Sequence, residues 1–165
     1  MWKKDSTGTA ESQVSKRVII GIDMGGNLWA TVIHDCVMRK DRYYGLKDRD
    51  KKRKEDRFYD LLREYLGQGY AVDVFYEAGR YGFAPARIML QLGAKVHILP
   101  INKLKVIMCG KVIKTDKLDA KFLSGLDPEA GLPEVYIPTV EQESRRDAER
   151  ELVRLSKEAD SWDQL

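Results

Sequence analysis

The spacing of apolar positions changes period along the chain. Residues 1–16 are polar, with scattered Ser, Thr and Gly, and read as a flexible leader. Val18-Ile19-Ile20-Gly21-Ile22 is then a short β-branched run, which predicts a buried strand ending at Asp23. Gly25-Gly26-Asn27 signals a turn. Residues 28–36 and 37–46 read as a second and a third strand, making an antiparallel meander. The period then lengthens. Phe58, Leu61, Leu62, Tyr65 and Leu66 recur at helical spacing, predicting an amphipathic helix over 51–66 that stops near Gly67 and Gly69. Residues 70–77 alternate as a fourth strand, 84–92 form a short helix stopped at Gly93, and 95–99 form a fifth strand closed by Pro100. A helix over 115–126, a connection over 127–138 and a last helix from about Val140 complete the series.

Three strands in a meander followed by helix–strand alternation resemble the RNase H-like fold. The expectation is an α/β protein: a mixed five-stranded sheet flanked by helices, with a coiled-coil-type helix at the C-terminal end. The leader spans 1–16, the RNase H-like domain 17–138 and the terminal helix 139–165. Trp29, Phe58 and Phe75 are expected in the core. His34 and His97, each within a predicted strand, read as packed or surface imidazoles, not catalytic bases. Tyr76 and Tyr81 flank Glu77, where a ring can stack on a base or sugar, but core packing is the commoner fate of such rings.

The composition, 43% hydrophobic and 33% charged over 165 residues, is that of one globular domain. No apolar run approaches the roughly 20 residues of a membrane span. There is no signal-peptide h-region, and Cys36 and Cys109 fit no metal or redox spacing; the expected location is cytoplasmic, with reduced thiols. A net charge of +3 argues little, but its distribution is uneven. Residues 39–57 hold ten basic side chains against five acidic ones, and 102–121 hold six lysines against two aspartates. Basic segments of this kind suit a phosphate backbone, although interleaved acids also suit a solvated face.

Four carboxylates stand out against this pattern. Asp23 ends the first predicted strand beside a glycine turn, where rigid backbone holds it and a ligand can approach. Glu77 ends the apolar run Val74-Phe75-Tyr76, an unusual place for glutamate. Asp116 and Asp119 lie three apart on a predicted helix, with Cβ atoms roughly 5–6 Å apart. Helix capping explains that pair alone equally well. Together, an acid on the first strand, one on the fourth and a pair on a later helix follow the logic of a two-metal nuclease site. In such a site, ions about 3.5–4 Å apart clamp the oxygens of a phosphodiester displacement. Mg²⁺ or Mn²⁺ is the expected cofactor.

Gly21-Ile22-Asp23, Tyr76-Glu77-Ala78-Gly79-Arg80-Tyr81-Gly82, Leu99-Pro100-Ile101-Asn102-Lys103-Leu104-Lys105 and Lys114-Thr115-Asp116-Lys117-Leu118-Asp119-Ala120 resemble the DEDD transposase family. This is the IS-one-ten class of insertion-sequence transposases, with the related Piv-type DNA invertases. The resemblance runs from Arg17 to about Ser156, and Lys-Thr-Asp-x-x-Asp-Ala is its most specific string. It implies a RuvC-like N-terminal domain in which Asp23, Glu77, Asp116 and Asp119 bind Mg²⁺ and perform phosphodiester chemistry on DNA. Arg80, Lys103, Lys105, Lys111 and Lys114 are the nucleic-acid-binding candidates. The family further implies a C-terminal domain with a participating serine, and a structured RNA able to guide target choice. The chain, ending at Leu165, is expected to carry the N-terminal part alone. Gly25-Gly26 also stand where the family often has Ser-Lys, which puts any role of that pair in doubt.

Two other classes compete. The first is a nucleic-acid-binding and assembly module without turnover. The second is an ATP-binding domain of the actin and sugar-kinase type, suggested by Gly21-Ile22-Asp23-Met24-Gly25-Gly26; it leaves Asp116 and Asp119 unexplained. In the last helix, Ala148, Leu152, Leu155, Ala159 and Trp162 follow a heptad seam, which predicts an assembly element and a homo-oligomer.

Overall fold

The structure, a computed structural model, describes residues 16–100 and 115–162. Five strands form one sheet: β1 (Arg17–Met24), β2 (Trp29–Asp35), β3 (Lys40–Leu46), β4 (Ala71–Glu77) and β5 (Lys95–Leu99), in the order β3-β2-β1-β4-β5. β1, β2 and β3 are antiparallel, whereas β4 and β5 run parallel to β1. Helices α1 (Lys54–Gly67) and α2 (Ala84–Leu92) make the crossovers to β4 and β5; α3 (Asp116–Ser124) and α4 (Val140–Trp162) follow. This is the mixed sheet with flanking helices that the sequence predicts, and the fold is RNase H-like.

Alternation along the central strands sorts side chains to two faces. Val18, Ile20 and Ile22 of β1, with Val72, Val74 and Tyr76 of β4, join Trp29, Phe58, Leu62 and Met89 in the main core beneath α1 and α2. The opposite face carries a smaller cluster of Ile19, Phe75, Leu99 and Leu123, covered by α3. Trp29, Phe58 and Phe75 are all fully buried. Trp29 packs edge-on against Phe58 and Tyr81, with centroids 5.9 and 5.4 Å away. Tyr76 is a core residue, and burial pushes its phenol pKa up; Tyr59 is pushed up to about 12, chiefly by burial.

Three boundaries differ from the sequence reading by two residues or more. The third strand begins at Lys40, not at 37, because the Asp35 carboxylate accepts hydrogen bonds from the backbone N–H groups of Val37 and Met38 at 3.0 and 2.9 Å. That turn competes with strand pairing, and Arg39 takes a left-handed φ of 52°. α1 begins at Lys54, not at 51. Asp50 and Lys51 are left-handed at φ 52° and 62°, and Asp48 accepts from the Lys54 N–H at 2.8 Å. The helix predicted over 115–126 ends at Ser124.

α4 leaves the sheet. Its start is fixed by a capping box: Thr139 Oγ1 accepts from the Gln142 N–H at 3.2 Å, and Gln142 Oε1 accepts from the Thr139 N–H at 3.0 Å. Arg87 then clamps the first turn, donating to the Pro138 carbonyl at 3.0 Å and to Glu143 at 2.5 Å. Beyond that turn, residues 144–159 are exposed. Leu152 is 68% and Leu155 48% exposed, while Arg154 bridges Glu151 and Glu158 along the surface. No helix among the described residues is long and apolar enough to cross a membrane.

Candidate functional site

The two strand-end carboxylates stand side by side. Ile22 faces Tyr76 across the parallel β1–β4 pair, so Asp23 and Glu77 are the next residues on adjacent strands. Both line a concavity of about 130 Å³ whose far wall is Ala78, Gly79, Arg80 and Tyr81. By alternation Asp23 belongs with Ile19 and Gly21, and Glu77 with Asp73 and Phe75, on the face that α3 covers.

α3 reaches that face through a missing side chain. A Cβ on Gly21 would lie 2.1 Å from the Ala120 carbonyl oxygen, 2.4 Å from the Ser124 nitrogen and 2.8 Å from Leu123 Cβ. Only glycine lets helix backbone rest on strand backbone here. Ala120 sits over Gly21, and Leu123 reaches Ile19 and Phe75 further back along β1 and β4. The helix N-terminus therefore points towards the strand ends that carry Asp23 and Glu77. Thr115 caps it, its Oγ1 accepting from the Leu118 N–H at 3.2 Å, a contact of about 1 kcal/mol. Asp116 is one turn before the buried Ala120, on the same stripe, and exposed; Asp119 is half-buried.

The structure thus brings Asp23 and Glu77 into one concavity and places the acidic end of α3 on the same face. It does not gather them into a closed set. Among the described residues, no group of three or more His, Cys, Asp or Glu side chains could hold a metal ion. Lys103, Lys105, Lys111 and Lys114 lie outside the described residues.

Arg80 lines the concavity, and Gly26 makes room for it: a Cβ at Gly26 would stand 2.5 Å from the Arg80 guanidinium. The same guanidinium lies 5.5 Å from the Tyr81 ring centroid. The Tyr81 hydroxyl in turn donates to the Gly25 carbonyl at 2.7 Å. The β1–β2 turn and the segment after β4 are thereby fastened to each other around the acids. Sequence reasoning weighed Tyr81 between stacking on a base or sugar and core packing and did not see this fastening; its place directly after Arg80, opposite a Gly-Gly turn, was the available signal.

A second polar group on this face also escaped the sequence reading. Asp73, 1% exposed in mid-strand, accepts from Arg17 Nε at 2.8 Å and faces His97 Nε2 at 3.2 Å. His97 Nδ1 meets Glu134 at 2.6 Å, and Arg17 also reaches Glu129 at 3.2 Å. His97 stacks on Phe75 at 4.4 Å. This network pins the 127–138 connection to the sheet. The signal was an aspartate inside Val72-Asp73-Val74, where only a paired acid can be buried.

No protein-family model matches the chain, and no curated protein matches it. Among solved structures it is similar to one described as T. thermophilus RuvC in complex with Holliday junction substrate. The identity is 18%, over 71% of this chain and 83% of that chain, with a TM-score of 0.37. At that level of likeness, the fold class rests on the strand order and crossovers described above.

Proposed function

We propose that the chain is a metal-dependent, nucleic-acid-processing domain of a DNA transposase or site-specific recombinase. The observation that carries this reading is the placement of Asp23 and Glu77 on neighbouring strand ends in one concavity, with the acidic N-terminus of α3 directed at the same edge. The donor chemistry fits a hard divalent cation. Both groups are oxygen ligands, and Mg²⁺ is commonly held by one or two carboxylates while it keeps several waters. Asp23 and Glu77 would hold the ion, with Asp116 and Asp119 of α3 as the further ligands. When bound, the ion supplies charge stabilisation for phosphodiester displacement. Arg80, at the rim, is placed to receive a phosphate oxygen. DNA is the proposed substrate, with a guide RNA as a further partner. The absence of a three-acid group among the described residues favours one alternative, a binding and assembly module without turnover.

Metal titration separates the two. With Mg²⁺ or Mn²⁺ about tenfold above its Kd, an ion that binds only the folded chain adds roughly 1.4 kcal/mol of stability, seen as a raised Tm. Asp23→Asn and Glu77→Gln are expected to abolish that rise and any metal-dependent cleavage of labelled DNA. A wild-type melting curve indifferent to both ions overturns the proposal. A metal response without cleavage selects the assembly module.

The bare seam of α4 supports association through a second helix, since a heptad seam this short is marginal alone in water. Sedimentation is expected to show an oligomer that Leu152→Asp with Leu155→Asp converts to a folded monomer. A wild-type chain that stays monomeric at high concentration removes the assembly claim.

A further inference from the structure

The face beneath α3 holds another concavity, of about 320 Å³, between that helix and the edge strand β3. Its lining is Val32, Tyr43 and Leu118, with Asp41, Lys117 and Lys121 at the sides. Tyr43 is 43% and Leu118 42% exposed, and neither belongs to a core cluster. The two lysines differ. Lys121 pairs with Asp41, whereas the Lys117 ammonium lies 5.1 Å from the Tyr43 ring centroid and has no carboxylate partner among the described residues. A half-exposed aromatic ring, an apolar neighbour and a lysine that covers the ring without a carboxylate partner are the ingredients of a base-stacking site with a phosphate contact.

Sheet register ties this cleft to the acids. The Tyr43 hydroxyl lies over Gly45, 3.3 Å from where a Cβ would stand. Gly45 pairs with Ala30, and Ala30 pairs with Asp23, whose neighbour on β4 is Glu77. One cross-strand row therefore runs Gly45, Ala30, Asp23, Glu77. At a strand spacing of about 4.8 Å, the tyrosine end of the row lies about 10 Å from Asp23. Ala30 is fully buried against Ala120, so the middle of the row passes beneath α3, and only its ends, the exposed Gly45 and the half-buried Asp23 and Glu77, reach the surface.

We infer that this cleft receives an unpaired base of single-stranded nucleic acid. The base stacks on Tyr43 beside Leu118, its phosphate draws Lys117 off the ring, and the strand continues around the exposed first turn of α3 towards Asp23 and Glu77. Bases inside a duplex have both faces covered by their neighbours, so the ring selects single strands or unpaired ends. The inference rests on the nucleic-acid reading above and narrows its substrate class.

The test is fluorescence anisotropy with a labelled single-stranded oligonucleotide and its duplex, in buffer without divalent ions. Tyr43→Leu is expected to weaken single-strand binding by roughly five- to a hundred-fold, and Tyr43→Phe by no more than about twofold, because stacking needs the ring and not the hydroxyl. Duplex binding stays unchanged in both. Lys117→Gln lowers the slope of log affinity against log salt by about 0.7, one phosphate's worth on a single strand. A 5-iodouracil oligonucleotide is expected to crosslink within β3. Unaltered melting curves show that the half-exposed ring is not needed for folding. If Tyr43→Leu binds the single strand as tightly as wild type, or if single strand and duplex weaken together, the cleft is not the site and the wider reading survives. If the wild-type chain binds neither at low salt, that reading falls as well. A parallel oligoribonucleotide series shows which sugar the strand carries, and loss with Tyr43→Leu in either series supports the cleft.

Discussion

Gly21→Ala is expected to destabilise the chain by about 3 kcal/mol or more, although it adds one methyl group. Overpacking usually costs 1–3 kcal/mol because side chains can shift to relieve it. Here the methyl would meet the Ala120 carbonyl oxygen at 2.1 Å and the Ser124 nitrogen at 2.4 Å, so α3 itself must lift. For a chain of this size, 3 kcal/mol lowers Tm by roughly 6–12 °C. Hydrogen exchange is expected to accelerate over Asp116–Ser124 before the rest of the sheet, and the metal response of Asp23 and Glu77 should fall with it. Gly67→Ala is the control: nothing lies within 4 Å of its Cβ, and it ends α1, so it is expected to be neutral or stabilising by a few tenths of a kcal/mol. Equal melting temperatures for the two variants would show that α3 does not depend on the bare backbone of β1.

That residue also shows where the sequence was legible and where it was not. The β-branched run around Gly21 announces a strand, and the acid at its end announces a candidate ligand, because both are local patterns. Asp116 and Asp119 are legible for the same reason: a three-residue spacing puts them on one stripe with Ala120 and Leu123. What the glycine admits is a helix a hundred residues later in the chain, and no local pattern identifies that neighbour. The turn at 36–39 was missed because Val37 and Met38 continue an apolar run, while the decisive group, the Asp35 carboxylate, looked like a strand end. The Lys51–Lys54 boundary was missed because a basic run does not show where helical φ begins. Tyr43 was one more aromatic in a strand until register placed it opposite Val32, with its hydroxyl over the Gly45 that shares a row with Asp23.

Arg17→Met is expected to cost about 3 kcal/mol, because it leaves Asp73 buried without its guanidinium. Removing one member of a buried pair typically costs 3–5 kcal/mol, and the partial exposure of Arg17 argues for the lower end. Adding Asp73→Leu to Arg17→Met is expected to recover part of the loss, since it removes the stranded charge. No recovery would mean that Arg17 acts through its contact with Glu129. The wild-type network also sets an acid limit. Burial alone would raise the Asp73 pKa, but the hydrogen bonds from Arg17 and His97 outweigh it and hold the carboxyl below its ordinary range. A carboxyl whose folded value is depressed contributes stability that is present in full above its unfolded value, about 3.9, and drains away as pH falls through the folded value. Urea titrations from pH 6 downwards are expected to show that decline in the wild type, and a shallower one in the Asp73→Leu, Arg17→Met double variant.

The sheet's two margins have different fates in a crowded solution. At β5, the Val135 N–H donates to the Ile98 carbonyl at 2.7 Å, so the 127–138 connection already occupies a backbone acceptor that a foreign strand would need. At β3, the outer backbone runs beside Lys40, Asp41 and Arg42, all exposed, and any strand added there must bring these charges against its own side chains. Polymerisation by strand addition is thus obstructed sterically at one margin and electrostatically at the other. Neutralising Lys40 and Arg42 would open the second margin alone, giving fibrils that grow from β3 and leave β5 sealed.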